Sequence, residues 1–139
     1  MDLKIIFFFA AIIIVGGLLF AVIELTKKGT KALNIDHYRM KWLAIEQQLK
    51  KDEPSSYHLV VLNADKLLDH ALKERGLKGE TMGERLKNAS QLFSNRNAVW
   101  SSHKIRNQIA HEAEVNVSYD DARRALGGFK QALKDIGAI

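Results

Sequence analysis

Residues Ile5 through Ile23 read IIFFFAAIIIVGGLLFAVI, nineteen positions without one charged side chain. As a helix this run spans roughly 28 Å, close to the hydrocarbon thickness of a bilayer. Lipid offers the backbone no hydrogen-bond partners, so a run of this kind must satisfy its own N–H and C=O groups as a helix. A cleaved secretory signal has a shorter apolar core, about 7–15 residues, and ends at a small-residue site. Here the run continues into Glu24-Leu25-Thr26-Lys27-Lys28, so residues 1–26 read as a retained anchor.

The flanks of the run predict its orientation. Asp2 and Lys4 precede it; Lys27, Lys28 and Lys31 follow, with Arg39 and Lys41 close behind. Positive flanks stay on the cytoplasmic side, which predicts the N-terminus outside and the rest of the chain in the cytoplasm. Residues 27–35 read as a basic linker. Gly17 and Ala21 form a small-xxx-small pair of the kind that lets membrane helices touch.

The rest of the 139-residue chain is polar and forms one domain, residues 36–139, with 17 basic and 14 acidic side chains. The whole chain carries +5, which suits a membrane surface beside the lysines or a nucleic acid on the body. The chain has no cysteine. That removes disulfide scaffolds, thiol catalysis and cysteine-based zinc sites.

Helical periodicity runs through the body. Tyr38, Trp42, Ile45 and Leu49 recur at helical spacing in a first helix, from an Asp36 cap to about Lys51. A second helix is expected from a Ser55 or Ser56 cap to about Arg75, burying Val61, Ala64, Leu68 and Ala71. Gly76 and Gly79 break it. Thr81-Met82-Gly83-Glu84 has the form of a capping box for a third helix to about Phe93. A fourth is expected over Ala98 to His111. Ser118-Tyr119-Asp120-Asp121 caps a last helix to about Ile136, with Ala122, Leu126, Phe129, Leu133 and Ile136 inward. Gly127-Gly128 lies inside that helix, where each glycine costs about 1 kcal/mol relative to alanine. Either a second helix approaches closely beside Gly128, or the helix bends there. The fold class is all-α: one N-terminal transmembrane helix plus a bundle of four or five helices.

The fourth helix carries the chemistry. Within Ala98-Val99-Trp100-Ser101-Ser102-His103-Lys104-Ile105-Arg106-Asn107-Gln108-Ile109-Ala110-His111, the side chains of Ala98, Ser102, Ile105 and Ile109 share one narrow direction and read as the core face. Trp100, His103, Asn107 and His111 fall nearly opposite, with Arg106 at the margin. A solvated face more often carries Lys and Glu. An indole, two imidazoles and an amide suit either packing against another helix or second subunit, or binding and transforming a ligand. On the residues alone, packing is the commoner use of such groups.

Arg106-Asn107-Gln108-Ile109-Ala110-His111 has the R-N-x-x-x-H form and resembles the motif of the HEPN superfamily, small helical bundles in which the motif sits late in the penultimate helix. The resemblance covers residues 36–139 as an architecture. It implies a metal-independent endoribonuclease acting as a homodimer, with two copies of the motif meeting in a composite cleft. It also implies roles: His111 as general acid or base for cleavage by the neighbouring 2′-hydroxyl, Arg106 on the scissile phosphate, Asn107 orienting His111 or the phosphate. Trp100, His103 and Lys104 of the same stretch are candidate binding residues. No cofactor or metal is expected: His103 and His111 are too far apart for an i, i+4 metal pair, and the chain has neither H-E-x-x-H nor a phosphate-cradling glycine loop. Partners are then the lipid bilayer, RNA and a second copy of the chain. The alternative function is a non-catalytic, membrane-tethered module that binds a partner protein through the same face.

Overall fold

The structure, a computed structural model, describes residues 2–26 and 31–139. Every regular element among them is helical. The chain divides into two compact units, Met1–Lys31 and Ala32–Ile139. Lys27 and Lys28, on which the orientation reading rests, lie outside the described residues.

The first unit is α1, Leu3–Thr26. Its segment Leu3–Leu25 is long and apolar enough to cross a membrane, and none of it is buried within the protein. Apolar on every side between Lys4 and Glu24, α1 has no polar face of the kind a surface helix needs.

The second unit is a bundle of five helices: α2 (Ile35–Gln48), α3 (Pro54–Glu74), α4 (Met82–Asn88), α5 (Arg96–His111) and α6 (Tyr119–Asp135), with a 3₁₀ turn at Ser90–Leu92. The long α3 packs against each of the other four, and α5 also packs along α6. The expected stripes of α2, α3 and α6 line the core, with Tyr38, Val61, Leu68, Phe129 and Leu133 fully enclosed. Burying a side chain of this size contributes about 1.5–3 kcal/mol.

Several boundaries differ from the sequence reading, each for a local reason. Asn34, not Asp36, caps α2: its side chain accepts the His37 N–H, and Asp36 sits in the first turn. Pro54 opens α3, where a missing N–H costs nothing. Ser56 therefore lies inside the first turn of α3 and bonds the Lys50 and Glu53 carbonyls instead of capping. Thr81 does cap α4. The Glu84 carboxylate reaches back past the cap to the Glu80 N–H, so the reciprocal half of the box is displaced by one residue. Helix α4 stops at Asn88, and Asn95 caps α5, which starts at Arg96, two residues before Ala98. The Ser118 box with Asp121 forms in full.

The two glycines of α6 have different surroundings. A Cβ added at Gly128 would lie 2.2 Å from Ser102 Oγ and 2.7 Å from the Ala98 carbonyl, whereas one at Gly127 would meet nothing within 4 Å. Gly128 is therefore where α5 and α6 approach closely, and it fixes which side of α5 faces inward.

Candidate functional site

Close approach at Gly128 places Ser102 against α6, and the buried side of α5 is then Val99, Ser102 and His103. Ile105 and Ile109 are only partly buried. This corrects the sequence reading, which set His103 opposite the core. Ser102 is inward as expected, but the inward direction is rotated by about one residue because α3 covers the side that carries His103, where Asp65 receives it.

Facing His103 from α3 is Asp65, 2 % exposed. His103 Nδ1 lies 2.7 Å from Asp65 Oδ1. The other carboxylate oxygen, Oδ2, is 3.2 Å from Arg106 Nε. Arg106 Nη1 donates to Asn107 Oδ1 at 3.0 Å, and Asn107 Nδ2 lies 3.2 Å from His103 Nε2. The four side chains close a ring: Asp65, His103, Asn107, Arg106 and back to Asp65.

The ring fixes its own hydrogens. A guanidinium only donates, so the Asn107 oxygen faces Arg106 and the amide N–H faces His103. His103 Nε2 is then an acceptor, and the imidazole is neutral with its proton on Nδ1, donated to Asp65. Asp65 accepts from both neighbours, which is how a carboxylate is tolerated at this depth.

One turn along α3, Asp69 holds Arg85 of α4, with Arg85 Nε 2.5 Å from Asp69 Oδ1 and Lys73 Nζ 3.0 Å from Oδ2. Burial works against the Asp69 charge, but hydrogen bonds from Arg85 and Lys73 outweigh it and hold the carboxyl below its usual range. Arg85 also donates to the Gly79 carbonyl, which holds the loop before α4 against that helix.

Between these two clusters opens a cleft of about 760 Å³, walled by Asp65, Asp69, Arg85, Arg106, Asn107 and His111. Arg106 reaches it with its side chain about one-third exposed. His111 is exposed at the last position of α5. Its imidazole shares the cleft, but the described amide partners of Asn107 are Arg106 and His103, so no bond from Asn107 orients His111 here. A second hollow of about 460 Å³ shares His103 and Asn107 with the cleft and continues along Asn97, Trp100, Ser101 and Lys104. Trp100 stands edge-on to His103, ring centroids 6.1 Å apart.

The structure thus joins Arg106, Asn107 and His103 directly, sets His111 in the same cleft, and puts Trp100 and Lys104 in the adjoining hollow. Sequence reading missed Asp65, Asp69 and Arg85. For Asp65 a signal existed: it lies four residues after Val61 and three before Leu68, on the buried stripe of α3, where a carboxylate demands a partner. Among the described residues, no group of three or more His, Asp or Glu is placed to hold a metal ion. Comparison of the chain with protein-family models, curated proteins and solved structures gave no match.

Proposed function

We propose that the bundle is an RNA-binding and RNA-cleaving domain of the HEPN kind, held at the membrane by α1 and acting on the cytoplasmic side as a homodimer. The observation that carries this reading is the cleft that Arg106, Asn107 and His111 share. Arg106 supplies a guanidinium, suited to a phosphodiester and to the charge that develops on it. The exposed His111 is free to take a proton from a 2′-hydroxyl or give one to the leaving oxygen. The resemblance of Arg106-Asn107-x-x-x-His111 to the HEPN motif adds the reaction class and the dimer. Lysines after α1 support the orientation.

The experiment is incubation of the full chain, in mild detergent and EDTA, with unstructured RNA. Products ending in 2′,3′-cyclic phosphate support the reading. Arg106→Ala should weaken both RNA retention and turnover. A second reading has its own observation. Arg106 is committed through Nε to Asp65 and through Nη1 to Asn107, a use that needs no ligand. On that reading the bundle is a non-catalytic interaction module, RNA stays intact, and Arg106→Ala lowers only the melting temperature.

A further inference from the structure

Trp100, Lys104, Asn107 and His111 recur at spacings of four, three and four, which places them on one side of α5 over roughly 16 Å. Trp100 is 39 % exposed and, among the described residues, is the one exposed large apolar side chain on α5. Its neighbours in the hollow are Asn97, Ser101, Lys104, His103 and Asn107: hydrogen-bonding groups and a cation, with no acid. A helix–helix contact needs several apolar side chains in a row. A lone indole among amides, a hydroxyl and an ammonium suits instead a flat ligand with polar edges and a nearby negative charge.

We propose that Trp100 is a stacking platform for an unpaired base of the strand that enters the cleft, with Lys104 holding a phosphate of that strand. The inference rests on the RNA reading and narrows it to single-stranded RNA. Every base has a face to stack on an aromatic ring, and the contact is tolerant of sequence. In a duplex those faces are covered by neighbouring pairs, and recognition falls to shape and backbone. His103 and Asn107 line both the hollow and the cleft, so the two lie side by side along α5, and a strand stacked at Trp100 has Arg106 and His111 within a few turns of helix.

The chain has two tryptophans, and Trp42 is 2 % exposed, so quenching by an added ligand reports on Trp100. The full chain in mild detergent is titrated with a single-stranded oligonucleotide bearing 2′-O-methyl riboses, which blocks cleavage by the neighbouring hydroxyl. The expected result is saturable quenching, with a duplex of the same sequence and an abasic strand of the same length binding more weakly and quenching little. Followed by fluorescence anisotropy of the same strand carrying an end label, because these variants lack the reporting indole, Trp100→Ala should lower affinity for the single strand about 5- to 150-fold, with its circular dichroism and melting unchanged, while Trp100→Phe keeps most of the affinity. Undiminished binding by Trp100→Ala, or equal quenching by the abasic strand, overturns the stacking platform and leaves the RNA reading standing. Failure of every strand to bind overturns both. Emission that shifts with protein concentration alone, with Trp100→Ala converting a dimer to a monomer in light scattering, assigns the indole to a subunit interface and overturns the proposal.

Discussion

His103 Nδ1 and Asp65 Oδ1 lie 2.7 Å apart, both side chains more than nine-tenths buried, although the two residues stand thirty-eight positions apart in the chain. This contact ties α5 to α3 and turns the Arg106–Asn107 pair into a closed ring. Asp65→Ala leaves the His103 N–H and the Arg106 Nε–H without their acceptor. It should cost about 1–3 kcal/mol, read as a lower melting temperature of the full chain in detergent. A change within a few tenths of a degree would mean that the ring contributes nothing to the fold.

The same ring predicts a tautomer. With Arg106 donating to the Asn107 oxygen, His103 carries its neutral proton on Nδ1. Nitrogen-15 correlation spectra should show Nδ1 protonated and Nε2 bare at neutral pH. Asp65→Asn or Asn107→Ala should weaken that preference. A proton on Nε2 would show that Asn107 is turned the other way and that the ring is open.

Gly127 and Gly128 should respond oppositely to alanine. At Gly127 the added methyl meets open space, and helix propensity favours alanine by up to about 1 kcal/mol. At Gly128 it would meet the Ala98 backbone and Ser102, and backbone cannot step aside cheaply. Forced overpacking of this kind costs about 1–3 kcal/mol. The two melting temperatures should therefore move in opposite directions from wild type.

Asp69 gives the bundle an acid-sensitive contact. Its carboxyl titrates below the usual range in the folded chain, held there by Arg85 and Lys73 against the opposing effect of burial. A depressed folded pKa stabilises the fold above the unfolded carboxyl's pKa, and that stabilisation is lost as pH falls through the folded value. Melting temperature should thus drop on acidification below about pH 4, the ordinary aspartate value. Asp69→Asn should begin less stable at neutral pH and show a shallower drop. An identical pH profile for the two would contradict the assignment.

The helices were legible because apolar spacing is a local signal. The stripe Ala122, Leu126, Phe129, Leu133 and Ile136 is buried as the periodicity requires, and the Ser118–Asp121 box forms. Helix starts were less legible. Asn34 and Pro54 compete with nearby Asp36, Ser55 and Ser56, all of them helix-start residues within one turn of each other. The face of α5 differs at His103 because an apolar count cannot see that Asp65 makes a buried place for it; Ser102, against Gly128, is inward as its spacing predicts. Of the candidate site, spacing puts Asn107 and His111 on one face of α5, and Arg106 joins them only through the resemblance of the R-N-x-x-x-H stretch. Asp65, Asp69 and Arg85 come from other helices, and only tertiary packing brings them to the cleft.

In the proposed ribonuclease, His111 would transfer a proton during RNA cleavage in the cleft. The most direct measurement is the single-turnover cleavage rate of one single-stranded RNA, in EDTA, by the full chain and by His111→Ala. Because His111 is exposed at the end of α5, the substitution should leave folding intact. The rate should fall by about 10²–10⁴ with RNA affinity nearly unchanged. Equal rates for the two proteins, or RNA left uncut by the wild type, would contradict it.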